Sequence, residues 1–323
     1  MLLPPEPPAL VRSASAPAAA PCGAGMRARL LAPGDETVAL ACSLRLRPGD
    51  RVLKRLVLEG SAASGVTLDC DGAAIGRPDA PVRLDAHTIA IRSRPPSRPG
   101  EPWDRPSDIT IRDCAIHGHV RIWGMGVNGQ GPLLRASSTS PGHTARAQDA
   151  APTRVTITGT TITAAGPIPL YLGPGVTGVA LRESRLAGRS DATALYLDAE
   201  SADNRIEDND IETWTTREAI AVDGSARNRI TGNRFVLGGQ GGVRLYRNCG
   251  EGGTVRHQTP SDNVVTGNVF RGGGGLFGAA PIAVNSRGGW GLNCWQDAGY
   301  PFGSSLDNDD GGTGNVVEPN TVE

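Results

Sequence analysis

Lysine is almost missing from this 323-residue chain: Lys54 stands alone, and arginine carries all the other fixed positive charge. A catalytic base drawn from this sequence is therefore not expected to be a lysine. A surplus of one charge sign is also lacking, since 32 basic residues face 33 acidic ones. That balance gives no electrostatic pull toward nucleic acid or an anionic membrane surface. No uncharged run approaches the ~18 apolar residues of a membrane span. What is abundant is glycine (44) and proline (25). In a helix interior these cost about 1 and 3 kcal/mol, so long helices are not expected. The length suits one large β domain.

A repeat organises the chain. NRIEDNDI begins at Asn204, NRITGNRF at Asn228, NVVTGNVF at Asn263 and NVVEPNTV at Asn315, with weaker copies upstream. Alignment on the second polar position gives Asp71, Cys114, Thr160, Ser184, Asn209, Asn233, Asn268 and Asn320. The central intervals are 24, 25 and 24 residues, and each phrase alternates apolar and polar positions with strand period. A second strand lies between the phrases, at 87–91, 119–123, 168–172, 193–197, 218–222, 242–246 and 281–285. Its inward pairs would be Leu195/Leu197, Ile220/Val222 and Val243/Leu245. Repeats of this length, with short strands and polar turns, describe a single-stranded parallel β-helix of the all-β class. Equivalent small polar residues would stack as a hydrogen-bonded ladder.

On these repeats the chain resembles the right-handed parallel β-helix superfamily, which includes pectate lyases, polygalacturonases, alginate lyases and uronate epimerases. The resemblance covers roughly residues 40–323 and specifies fold more than activity. The Asn-Thr-Asp strand, Gly-His-Gly turn and Arg-Ile-Lys strand of polygalacturonases are missing, and His117-Gly118-His119 only mirrors the second. The Asp-Pro-His-Asp signature of mannuronan epimerases and the Trp-Ile-Asp-His box of pectate lyases are missing too. The resemblance implies action on an acidic polysaccharide or oligosaccharide.

Irregular spacing locates the candidate site. Surplus residues follow the second strand at 93–108, 124–154, 247–262 and 286–314, so long loops leave one edge of the solenoid. Insertions on one face often mark a binding face. Between them lies a low saddle, whose outward side chains follow from strand alternation. Trp123, Tyr171 and Tyr196 offer rings for sugar stacking; Arg217, Arg244 and Arg256, with Glu251, are substrate-binding candidates. Guanidinium forks suit uronate carboxylates. Asp198 and Asp223 fall at equivalent positions on adjacent rungs, about 4.8 Å apart. Two carboxylates so close call for a cation or a shared proton.

Three chemistries compete. Asp198, Glu200 and Asp223 could bind calcium, a hard ion that takes oxygen ligands; the resemblance to pectate lyases implies the same. Alternatively, Arg217, Arg247 or Arg256 neutralises the uronate while Tyr246 and His257 share acid and base duties. In the third, Asp198 and Asp223 hydrolyse a glycoside. A non-catalytic carbohydrate-binding or adhesion solenoid is the alternative outside enzymology, and both aspartates could simply begin tight turns. The reading adopted is a polysaccharide lyase acting by β-elimination. His117 and His119 alternate to one side of a strand, a chelating spacing with no third ligand in view.

Register favours the cysteine pairs 22–42, 70–114 and 249–294, although six cysteines allow fifteen pairings. Disulfides point to a periplasmic or secreted protein. Residues 1–21, rich in Pro, Ala and Ser, are expected to form a disordered lead, with the β-helix domain over 22–323. No nucleic-acid partner and no membrane span are expected, and the protein is read as a monomer.

Overall fold

The computed structural model describes residues 14–323 except 79–86, 99, 127–130, 251, 273–278, 288–293, 295–299 and 305–310. Among the described residues the strands form three sheets, and every strand pair is parallel. Sheet one has nine strands. They are Thr37–Ala39, Arg55–Glu59, Ile89–Arg92, Val120–Trp123, Leu170–Leu172, Leu195–Leu197, Ile220–Asp223, Val243–Tyr246 and Ile282–Val284. Sheet two runs in eight strands from Leu44–Arg45 to Val264–Thr266. Sheet three runs in nine from Arg51–Val52 to Thr321–Val322, and its tenth strand, Trp214–Thr215, pairs with Arg185–Ser190 off that path. Successive coils pass from sheet one to sheet two to sheet three and on to the next coil, so the chain is a parallel β-helix.

Register explains why so short a strand suffices. Leu56, Ile89, Val120, Leu170, Leu195, Ile220 and Val243 stack as Cα partners, and two residues on a second row runs through Leu58, Ile91, Ile122, Leu172, Leu197, Val222 and Leu245. All of these are buried. Each aliphatic side chain withdrawn from water contributes roughly 1.5–3 kcal/mol, and only the stacked neighbours make that withdrawal complete. The pairs 195/197, 220/222 and 243/245 face inward as the alternation requires.

The polar ladder forms as well. Thr160 N donates to Ser184 Oγ (3.2 Å), Ser184 N to Asn209 Oδ1 (3.0 Å), and Asn209 N to Asn233 Oδ1 (3.0 Å). Asn233 N and Asn268 N continue it to Asn268 and Asn320 (3.0 and 2.9 Å). A second ladder runs through Asn204, Asn228, Asn263 and Asn315. Asp71 does not belong to the first one. Residues 69 and 74 pair with 112 and 115, so this turn carries two extra residues and the position facing Cys114 passes to Ala73. Asp71 instead accepts a hydrogen bond from Arg45 (3.1 Å).

The three disulfides are 22–42, 70–114 and 249–294. The helix Ala24–Leu31 covers the first coil with Leu30 buried. Of the lead expected to lack order, residues 1–13 lie outside the described residues. Residues 14–21 are bonded to the first coils: Ala16 N donates to Asp108, Ala19 N to Gly65 O, and Ser43 N to Ala20 O. Gly65, at φ +72°, has no room for a side chain against the Pro17 carbonyl. The surplus segments do leave from the ends of sheet-one strands. The one after Val120–Trp123 folds into two short helices, Pro132–Ser138 and His143–Ala150.

Candidate active site

Two outward rows of sheet one carry the site. The first aligns Arg121, Tyr171, Tyr196, Ala221 and Arg244. In the second, Asp223 is the Cα partner of Tyr246, and Asp198 precedes Asp223 by one rung. The aspartates therefore share a face, as strand alternation demands.

Within each pair of rungs a phenol reaches diagonally to the next carboxylate. Tyr171 Oη donates to Asp198 Oδ2 and Tyr196 Oη to Asp223 Oδ2, both at 2.5 Å. Arg256, brought in by the loop after Tyr246, pairs its Nη1 with Asp198 Oδ1 at 2.8 Å. Asn248 closes over Asp223, giving its backbone N to Oδ1 (2.7 Å) and its Nδ2 to Oδ2 (2.8 Å). Tyr246 reaches the other way and donates to Glu218 Oε1 at 2.7 Å. Arg217 Nη2 lies 3.3 Å from the same phenol oxygen and 3.4 Å from Glu218. Asp198, Asp223, Glu218, Tyr171, Tyr246 and Arg256 are all buried, whereas the Arg217 side chain is 38% exposed. Tyr196, Trp123 and Arg244 are half-buried.

Burial sets the protonation states. It pushes the Asp223 carboxyl above its ordinary range; Arg256 pulls it down, and the neighbouring Asp198 charge adds to the rise. Burial likewise raises Tyr171, Tyr196 and Tyr246, aided by the carboxylate facing each phenol, so all three rest as neutral phenols. For Arg256 burial alone would favour loss of the proton, but Asp198 and Asp223 outweigh it and hold the guanidinium charged. Arg217 is held charged in the same way by Tyr246 and Glu218.

Several expectations need correction. The tyrosines point away from the core, yet Tyr171 and Tyr246 are covered by the inserted segments, so they present no open stacking face. Arg287 lies 4.2 Å from the Tyr246 ring centroid and donates to Asn248 Oδ1. The calcium set does not fit. Every oxygen of Asp198 and Asp223 already accepts from a protein donor, one of them cationic. Glu200 turns elsewhere: its Oε1 takes the backbone N of His257 (2.8 Å) and its Oε2 the Thr144 hydroxyl. Among the described residues no group of three or more His, Cys, Asp or Glu side chains is placed to hold a metal ion. Among the described residues His257 shares no partner with Tyr246. Its Nε2 lies 2.7 Å from Ser138 O and its ring packs on His143 and Phe302 beneath the inserted helices. Arg247 donates to the Arg256 carbonyl (3.3 Å) and braces the loop. Trp123 sits one turn of the row away, against Tyr171 and His87. Glu251 lies outside the described residues.

Glu218 and Asn248 are the partners that sequence reasoning passed over as functional groups. Glu218 lies two residues before the strand Ile220–Asp223, and Asn248 is two residues beyond Tyr246; register alone could have flagged both. Nothing in the sequence signals Thr144 or Ser138, which arrive on the inserted helices.

The fold and this layer of carboxylates, phenols and guanidinia on one outer face define a parallel β-helix with a polar site beneath its insertions. The family model described as "Right handed beta helix region" matches residues 103–288, more than half of the chain, and the chain belongs to that family. No curated protein matches it. Among solved structures, the chain is similar to DFA-IIIase from Arthrobacter chlorophenolicus A6, at 12% identity and a TM-score of 0.35, over 85% of this chain and 74% of that one. GH136 lacto-N-biosidase from Eubacterium ramulus gives 11% and 0.32, over 91% and 46%. A periplasmic alginate epimerase gives 11% and 0.30, over 89% and 78%.

Proposed function

We propose that the chain is a carbohydrate-active enzyme that cleaves a uronate-containing polysaccharide by β-elimination, outside the cytoplasm. The observation that carries the reading is the Arg217–Tyr246–Glu218 relay, a half-exposed guanidinium bonded to a buried phenol that is itself bonded to a buried carboxylate. Arg217 neutralises the substrate carboxylate and so acidifies the adjacent C–H. Its proton passes to Tyr246 Oη as the phenolic proton moves to Glu218. The glycosidic C–O bond then breaks, leaving a double bond in one product and an alkoxide that takes a proton from water, and the hydroxide so formed takes the proton from Glu218 and restores the relay. Because Tyr246 is covered, substrate reaches it only when the loops over it are drawn back. Arg256, Tyr171 and Tyr196 hold the aspartate layer beneath. Three disulfides suit a periplasmic or secreted location.

The test is a panel of uronate polymers followed by the ultraviolet absorbance of unsaturated ends. Tyr246→Phe should lower turnover by about 10²–10⁴, the usual contribution of general acid–base catalysis, while the far-ultraviolet dichroism of the folded chain is kept. Wild-type turnover in that variant would remove the relay. A second reading is favoured by one observation: burial raises the Asp223 carboxyl beside an Arg256-paired Asp198, an arrangement that suits an acid and its partner in glycoside hydrolysis. New reducing ends without ultraviolet absorbance, abolished by Asp223→Asn, would establish it instead.

A further inference from the structure

We propose that the margin of sheet one carrying Arg217 and Arg244 is a paired-carboxylate site that selects two adjacent uronate residues. This rests on the acidic-glycan reading above and extends it from one carboxylate to two. Arg217 lies three residues before the strand Ile220–Asp223, and Arg244 is the Cα partner of Ala221 one rung further. Arg244 makes no hydrogen bond or ion pair among the described residues, and its Nε is sheltered from solvent. Its row neighbours, Ala221 and Ala283, have no polar group to offer.

The side chain runs toward the start of its strand, since a Cβ placed on Gly241 would lie 3.6 Å from Arg244 Nε. Gly241 O accepts from Ala219 N at 3.1 Å, which sets Gly241 beside the Arg217–Glu218 corner of the preceding rung. Both arginines therefore stem from one margin on adjacent rungs, whose backbones lie about 4.8 Å apart along the solenoid. Glu218 is already engaged by Tyr246 and Arg217, so the margin keeps surplus positive charge. A half-buried cation without a partner is costly to keep, and a planar fork matches a carboxylate. A neutral sugar at this position would leave Arg244 as it stands; a second uronate would pair it.

The test is calorimetric binding in the Tyr246→Phe background, where turnover does not interfere. The probes are a linear uronate trisaccharide and the same trisaccharide with its middle carboxyl reduced to the alcohol. The intact trimer should bind at least about tenfold more tightly, the scale of one charge-assisted hydrogen-bonded contact. Arg244→Gln should erase that difference by weakening the intact trimer alone. Equal affinities for the two probes, or a preference that survives Arg244→Gln, would overturn the paired site. A carboxylate preference in a wild-type chain that yields no unsaturated product would remove the lyase reading and leave the binding site standing.

Discussion

Replacing Asn233 by alanine probes the polar ladder at its centre. The Asn233 side chain is fully buried and makes five hydrogen bonds. Oδ1 accepts from Asn209 N (3.0 Å) and Asn209 Nδ2 (2.9 Å), while Nδ2 donates to Ile206 O, Thr231 O and Asn268 Oδ1 (2.8, 3.2 and 2.9 Å). Asn209 Nδ2 keeps Leu181 O, and Asn268 Oδ1 keeps the Asn233 backbone N. The Asn209 amide and the Ile206 carbonyl lose their ladder partner inside the protein. At about 1–3 kcal/mol for each of these two buried groups, Asn233→Ala should cost about 2–6 kcal/mol. Serine already holds this position at residue 184, accepting from the amide on one side and donating to Arg182 O (2.6 Å). Asn233→Ser should therefore lose about half as much. Urea unfolding with the disulfides intact measures the cost. Hydrogen exchange at the Asn209 amide measures it locally, which matters because solenoid coils can open one by one. A loss below about 1 kcal/mol, or equal losses for alanine and serine, would show that the ladder does not hold the coils together.

Other consequences follow from charge and cross-linking. Arg256→Ala leaves Asp198 buried without its cation and should cost about 3–5 kcal/mol; adding Asp198→Asn should recover part of it, and no recovery would refute the pairing. Arg234→Ala, which breaks the exposed pair with Asp210, should leave the urea midpoint nearly unchanged in the same assay. Burial holds both His119 and His143 down to about 3, against 6.5 for a free imidazole, so the unfolded chain takes up protons that the folded one refuses. Stability should fall as pH drops from 6.5 toward 3, and His119→Phe with His143→Asn should flatten that fall in urea midpoints. Asp223 acts in the opposite sense. Its raised carboxyl adds stability that is full below 3.8 and lost as pH rises through its folded value, so Asp223→Asn should make the acid loss steeper. Serine at both Cys249 and Cys294 should expose residues 247–262 to limited proteolysis while the coils keep their far-ultraviolet dichroism; unchanged cleavage would show that the bridge does not secure the loop.

The coil architecture was legible because its rules are short-ranged. An interval near 24 residues, alternation with period two and repeated Asn-x-x-x-x-Asn phrases each describe what one coil does to the next. Asn209, Asn233 and Asn268 accordingly stack where the phrases put them, and all three cysteine pairs follow from the same register. Asp71 was misassigned because two extra residues in one turn leave no mark on the apolar pattern.

By itself the sequence determined a parallel β-helix, its inward residues, and a face where Asp198, Asp223, Tyr171, Tyr196 and Tyr246 meet. Tertiary structure alone decided that this face is closed over, that Arg256 takes the place assigned to a metal, and that Glu200 and His257 belong to the loop scaffold. The reason is physical. Stacking repeats one local geometry, whereas an insertion takes its path from contacts such as His257 with Ser138, 119 residues apart in the chain, and no periodic signal encodes them.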